Sequence, residues 1–521
     1  MRNNILQYLE NTVLSRPDKP AFSSGAGEET ITFSELYRMA RQLGTALAKQ
    51  GKRGQGVALL MERAPHQIAA FLGTVYAGDY YIPLDGTMPK QRMETILDLV
   101  KPAFLVYDSA HAGVAGTLAC GSCRLLEWNF DPAAPVDKEL LSSIRQKGID
   151  TDPIYIVFTS GSTGVPKGVV ANHRSVIDYT ESLCEALPFT EDTVFGNQTP
   201  LFFDAPLKEI MPTLKLGATT YLIPRKLFMF PMLLTDYLNE NKINTICWVV
   251  SALTMISSLG VLEKKPPLYL RLVCFGSEVF YREQYDRWRA ALKDTEFYNL
   301  YGPTEATGMS CYWKADRALD AAEPIPVGRP FTNTEVLLLD ADGNAVEPDG
   351  PLCESEENGF VHGRTGEIFL RGTCVTMGYF NNAEKTADAF VQNPLQKAFP
   401  EIIYRTGDLG CYNRYGELVF LTRKDLQIKI RGHRVELGDI EAAAMSLQGS
   451  RQVCAIYSRE EEKLYLVYAG SADEKEMLSH LKETLPRYMI PAAISRWPSL
   501  PLTANQKLDR RRVAEEFRKN K

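Results

Sequence analysis

Three short runs that are apolar throughout, at 56–60, 103–107 and 154–158, recur along the first third of the chain with helix-like stretches between several of them. Runs of this kind suit strands buried on both faces, and their alternation with helices points to largely parallel sheets covered by helices. Residues 31–47 fit the same scheme. A short strand leads into a helix with Leu36, Met39, Leu43 and Leu47 at helical spacing, and Ser34 is placed to cap it. From about residue 325 to 422 the character changes. Gly, Asp and Asn turns separate short strands, and Asp340-Ala341-Asp342-Gly343-Asn344 reads as a hairpin turn, so an antiparallel, barrel-like part is expected.

The last hundred residues read as a separate unit: a strand at 427–430, a helix from Gly438 through Leu447, strands at 453–457 and 464–468, a helix at 474–484 and a basic tail. The expected class is therefore α/β. A large N-terminal domain, 1–424, has largely parallel sheets with helices plus the barrel-like antiparallel part. A small, mobile α+β C-terminal domain, 425–521, follows it.

The net charge of −6 gives no global attraction for nucleic acid or anionic lipid. No apolar stretch approaches the roughly 18 residues a membrane span needs, and the first residues lack a signal-peptide core, so a cytoplasmic chain is expected. Ten cysteines are scattered; the only close pair, Cys120 and Cys123, has no second pair to complete a zinc site, and reduced cysteines are expected. Six histidines with no HExxH pairing disfavour metal-hydrolase chemistry.

The segment with the clearest chemistry is Thr159-Ser160-Gly161-Ser162-Thr163-Gly164-Val165-Pro166-Lys167-Gly168, directly after an apolar strand. Small residues let backbone amides approach an anion, hydroxyls add donors and Lys167 adds charge for phosphate. Taken alone it could be a flexible surface loop. A Walker A loop needs Gly-Lys-Ser/Thr before a helix, whereas here Pro166 precedes the lysine and Gly168 follows it.

This loop resembles the phosphate-binding loop of the adenylate-forming enzymes, and further signatures follow in order: Tyr301-Gly302-Pro303-Thr304-Glu305, Tyr404-Arg405-Thr406-Gly407-Asp408, Arg423 to Lys429 and Asn505 to Arg510. The segments at 31–36, 76–85, 430–441 and 485–491 are similar to those of amino-acid adenylation domains of nonribosomal peptide synthetases. The resemblance implies ATP and Mg²⁺ as cofactors and two half-reactions, formation of an acyl-adenylate and then of a thioester. It implies that Thr159, Ser160, Gly161, Ser162, Thr163, Gly164 and Lys167 cradle the β- and γ-phosphates. Thr304 would contact the α-phosphate, Glu305 hold the metal and Asp408 bind the ribose hydroxyls. Tyr301 would lie beside adenine, Arg423 near the ribose, Lys507 would be the catalytic lysine and Asp425 the hinge. Gln506 and Thr422 stand where the family pattern has glycine.

Phe203-Asp204-Ala205 resembles the substrate-pocket segment, with Asp204 on the substrate ammonium. Two plainer readings stand beside it: a helix-start aspartate, or an Asp204–Lys208 pair at i, i+4. Positional matching adds Lys208, Cys247, Val273, Phe275, Leu300, Gly308 and Met309 to the lining. An apolar or aromatic amino acid is the first expectation, an acidic one the second and an amino-aryl acid such as an anthranilate a third. No phosphopantetheine attachment segment follows Lys507, so a freestanding, monomeric enzyme serving a carrier protein in trans is expected. A D-alanine–carrier protein ligase is a related possibility, and an aryl- or acyl-CoA ligase is the alternative.

Overall fold

The computed structural model describes residues 2–25, 29–118, 121–160, 166–320, 322–354, 360–424, 427–502 and 508–520. The expectations for Gly161, Ser162, Thr163, Gly164, Asp425 and Lys507 lie outside them.

The three apolar runs become neighbouring or near-neighbouring parallel strands. A six-stranded sheet runs Arg124–Glu127, Phe104–Tyr107, Gly56–Leu60, Tyr80–Pro83, Pro153–Thr159 and Lys167–Asn172, parallel except for the last strand. A nine-stranded sheet has a parallel centre, Glu296–Tyr301, Leu272–Gly276, Thr245–Val249, Val194–Asn197, Thr219–Leu222 and Pro20–Ser24, and antiparallel edges. Helices Phe33–Gln50, Pro65–Tyr76, His173–Ala186 and Leu207–Leu216 join residues of both sheets in one apolar core. The first of these begins two residues earlier than Ser34 as cap would set it. Thr32 is the cap: its hydroxyl accepts from Glu35 N (3.2 Å) while Glu35 Oε2 accepts from Thr32 N (2.8 Å). Such a reciprocal box satisfies two otherwise orphaned donors and is worth about 1 kcal/mol.

The turn-rich region forms a five-stranded antiparallel sheet from Thr334–Leu339, Gly366–Gly372, Ile402–Tyr412, Phe390–Gln392 and Leu418–Arg423. Beyond it come a hairpin, Gln427–Ile430 with His433–Glu436, and a three-stranded sheet, Ser450–Ser458, Lys463–Gly470 and Ala493–Trp497. Helices Leu437–Met445 and Glu474–Thr484 close an apolar cluster of their own around Ile440, Leu466, Met477 and Leu481. Cys123 is disulfide-bonded, to a partner outside the described residues, which corrects the expectation of uniformly reduced cysteines; eight other cysteines are free. Among the described residues no helix is long and apolar enough to cross a membrane.

Candidate active site

Strand Pro153–Thr159 carries its apolar run straight to Thr159 and Ser160, and the antiparallel strand Lys167–Asn172 sets Lys167 opposite Thr159. Across the cleft, Glu296–Tyr301 ends at Tyr301 and the chain doubles back at Gly302. A Cβ there would sit 2.4 Å from the Gly308 carbonyl oxygen, so only glycine permits the approach. The following turn, Thr304–Ala306, buries Glu305 completely.

Glu305 is held from two sides. Tyr379 Oη donates to Oε1 at 2.7 Å, and Arg434 Nη1 lies 2.8 and 2.9 Å from the two carboxylate oxygens. Burial alone would raise the Glu305 pKa; Arg434, Tyr379 and Lys167 outweigh it and the net shift is downward. Arg434 belongs to the C-terminal hairpin, whose strand His433–Glu436 lies on the loop end of the parallel sheet. Ser160 Oγ donates to the Arg434 carbonyl at 2.9 Å, and Lys167 Nζ is 3.6 Å from Glu436. Burial lowers the Lys167 pKa, and the neighbouring Arg434 charge adds to that. At the hairpin tip Gly432 has φ +79°, and its N–H donates to Glu278 Oε1 at 2.7 Å. A Cβ at Gly432 would meet Val249 Cγ1 at 2.4 Å.

Asp408 and Arg423 face one another across the last two barrel strands. Arg423 donates to one Asp408 oxygen, and Tyr301 Oη donates to the other at 2.5 Å. Thus Tyr301, Asp408 and Arg423 form one partly buried constellation around the buried Asp408.

The other end of the cleft is built on helix Leu207–Leu216. Its cap position is Pro206 and no side chain caps it, so Asp204 does not serve as a helix-start residue. Nor does an ion pair within 4.0 Å join Asp204 to Lys208. Burial raises the Asp204 pKa against a hydrogen bond from Thr304. Asp204 is thereby tied to the turn that carries Glu305. Phe203 sits edge-on to His433, with ring centroids 5.2 Å apart. Ala205 accepts at its carbonyl from Lys208 N at 3.2 Å, in the turn that leads into the helix.

Cys247 pairs in register with Cys274, and both share a cluster with Leu300, Met309 and Tyr179. A Cβ on Gly308 (φ +86°) would lie 3.4 Å from the Tyr179 ring. Val273 and Phe275 are not on this side. They pack in the cluster of Trp248, Tyr285 and Trp288, with Phe275 5.1 Å from Phe280, because alternate residues of a strand point to opposite faces. The positions of that strand on the pocket side are Cys274 and Gly276. Several buried polar atoms here have no hydrogen-bond partner: Tyr155 Oη, Tyr179 Oη, Glu209 Oε1 and Ser310 Oγ.

Arg434, Glu436, Glu278 and Tyr379 were not singled out from the sequence. Arg434 and Glu305 are 129 residues apart, and nothing local marks them as partners. The only signal lay in the 430–441 segment as a whole. Among the described residues no group of three or more His, Cys, Asp or Glu could hold a metal ion.

A family model described as "AMP-binding enzyme" matches residues 9–380. Bacitracin synthase 1 of Bacillus licheniformis is 32% identical over 529 residues, covering 99% of this chain and 9% of that protein. An L-proline–[L-prolyl-carrier protein] ligase of Streptomyces coelicolor is 29% identical over 538 residues, covering 98% of this chain and 96% of the ligase. Holo-PA1221, an NRPS protein containing adenylation and PCP domains bound to a vinylsulfonamide inhibitor, superposes with a TM-score of 0.80 at 23% identity, covering 99% and 84% of the two chains. The chain spans under a tenth of the length of the first curated relatives it matches, 9% for two of them and 6% for a third.

Proposed function

Because the chain belongs to the AMP-binding enzyme family, the adenylate-forming enzymes whose motifs it carries, we propose that it activates an amino acid with ATP and passes it to the phosphopantetheine thiol of a separate carrier protein. A carboxylate oxygen attacks the α-phosphorus and pyrophosphate leaves. The thiol sulfur then attacks the acyl carbon, the bond to AMP breaks and the thiol proton is lost. The Streptomyces ligase, matched along almost its whole length, supports the carrier as acceptor in preference to coenzyme A.

In this reading Thr159, Ser160, Gly161, Ser162, Thr163, Gly164 and Lys167 hold the β- and γ-phosphates, where negative charge accumulates and fixed donors act most strongly. Thr304, already bonded to Asp204, stands between the substrate end and the α-phosphate. Asp408 takes the ribose hydroxyls, and Tyr301 and Arg423 fix its orientation. Lys507 brings a mobile point charge to the carboxylate and α-phosphate. Asp425 is the hinge, between domains 1–424 and 425–521; the residue before it, Lys424, is anchored by its N–H on the Gly407 carbonyl at 2.8 Å.

Glu305 is a hard carboxylate that would hold Mg²⁺ together with phosphate oxygens, and here its oxygens face the Arg434 guanidinium. Bound there, the ion would neutralise charge on the phosphates. The protein's own part is to keep Glu305 ionised and oriented through Tyr379. We place the enzyme in the cytoplasm, as a monomer, with no nucleic-acid or membrane partner.

The observation that carries this reading is the convergence of Ser160, Lys167, Thr304 and Glu305 on one cleft, with Tyr301, at the end of the strand that leads into the Thr304 turn, bonded to Asp408 beside Arg423. Amino-acid-dependent exchange of pyrophosphate into ATP tests it. Lys507→Ala should lower that exchange about a hundredfold or more without moving the unfolding midpoint. Near-normal exchange in the variant would remove Lys507 from the mechanism. Loading of a phosphopantetheinylated carrier, compared with thioester formation on coenzyme A, identifies the acceptor.

A further inference from the structure

Strand Pro153–Thr159 reaches the nucleotide cleft with its last residue; its first, Pro153, lines a cavity of about 210 Å³. The two ends lie roughly 20 Å apart along the strand. The segments that lead into strands Gly56–Leu60 and Tyr80–Pro83 close on the same cavity through Arg53 and Asp79. Helices Leu6–Ser15, Phe33–Gln50, Pro65–Tyr76 and Lys138–Gln146 supply Glu10, Arg41, Tyr76 and Arg145. None of these residues belongs to the nucleotide end or the acid end of the cleft.

Two of the cations have carboxylate partners. Arg53 pairs with Asp152, and Arg145 Nη2 lies 3.5 Å from Glu10 Oε2. Glu10 is shared, since Tyr76 Oη donates to its other oxygen at 3.2 Å. Arg145 Nη1 is left as a buried donor without an acceptor among the described residues. Arg41 and Lys138 also line the cavity, and among the described residues no carboxylate lies within 4.0 Å of either side chain. Arg41 is held in place: its guanidinium carbon stands 4.7 Å from the centroid of the Tyr37 ring, which meets Tyr76 edge-on at 6.2 Å. The remaining acid does not balance these cations. Asp79 is buried and accepts from Gln55 N at 2.9 Å, and burial raises its pKa to about 7, so at neutral pH it carries about half a charge. The cavity is therefore net positive.

We propose that this cavity is a second ligand site, separate from the nucleotide cleft, and that it takes a small oxyanion, a carboxylate or a phosphate, on Arg41, Lys138 and Arg145. The proposal goes beyond the adenylation reading and does not depend on it. Guanidinium groups match the planar or tetrahedral oxygens of such anions with two parallel donors, which a spherical halide cannot use. The volume is that of about seven waters, enough for a phosphate or a short carboxylic acid with part of its hydration.

Isothermal titration calorimetry of the full chain tests it, with ATP at saturation to fill the nucleotide cleft. Sodium phosphate and sodium acetate are the probes, and sodium chloride at equal ionic strength is the blank. Saturable heat with phosphate, acetate or both is expected and tells which oxyanion the site prefers. The double variant Arg41→Leu, Lys138→Met should bind that anion about tenfold or more weakly, the worth of one charge-assisted bond. Hydrogen exchange of the wild type should slow with the anion in segments 37–41, 75–79 and 138–153. No saturable binding of either anion, equal binding by the double variant, or protection confined to 159–160 and 166–172 overturns the proposal. If the double variant does not fold, hydrogen exchange of the wild type decides alone.

Discussion

The two ends of the cleft are both buried and both charged, but they are satisfied differently. At the nucleotide end the named site charges have protein partners: Glu305 has Arg434 and Tyr379, Asp408 has Arg423 and Tyr301, and Lys167 has Glu436. At the acid end the hydroxyls of Tyr155 and Tyr179 and one Glu209 oxygen have none. A fully paired site can be emptied of ligand without strain. An unpaired one holds its polar groups at a cost to stability that the ligand relieves. The difference separates groups that alternate between protein and substrate partners from groups that wait for one partner.

The largest expected effect attacks the paired end. Glu305→Ala takes from Arg434 its hydrogen-bonded carboxylate, and should lower unfolding stability by about 3 kcal/mol in urea titrations of the apo protein. No loss would mean that the pair is not formed in solution. A middle-sized effect probes the acid end through pH. Burial raises Glu209 from 4.5 to about 7. The folded state thus binds that proton more tightly, so its stabilising contribution is complete below pH 4.5 and is lost as pH rises through about 7. Subtracting the stability curve of Glu209→Gln from that of the wild type should show a decline on the order of 2–3 kcal/mol across that window. A flat difference would place Glu209 in a wetter setting. The smallest effect has the opposite sign to the first. Tyr179→Phe removes a buried hydroxyl that has no hydrogen-bond partner and should raise stability by about 1 kcal/mol. If it destabilises as Glu305→Ala does, the Tyr179 hydroxyl has a partner in solution and the contrast between the ends collapses.

Much of the scaffold could be read from the chain. The apolar runs at 56–60 and 154–158 marked sheet strands within a residue, and helix 474–484 was placed to the residue, because each carries its periodicity locally. The face of strand Leu272–Gly276 could not be read. Leu-Val-Cys-Phe-Gly has no polar residue to mark one side, so a match one position off turned Val273 and Phe275 inward in place of Cys274 and Gly276. Thr32 and Ser34 are both competent caps, and only the turn geometry with Glu35 chooses between them. Arg434 on Glu305 was out of reach because long-range ion pairing leaves no trace in spacing. Lys208 was legible as an anomaly among apolar neighbours, although its burial needed coordinates.

Glu305 joins side chains from two distant stretches of the chain, Tyr379 from one and Arg434 from the other. Arg434 in turn is fixed to the strand that touches Ser160 and Lys167. One carboxylate is thus a latch for the hairpin: lifting strand His433–Glu436 from the parallel sheet opens the contacts to Glu305, Ser160 and Lys167 together.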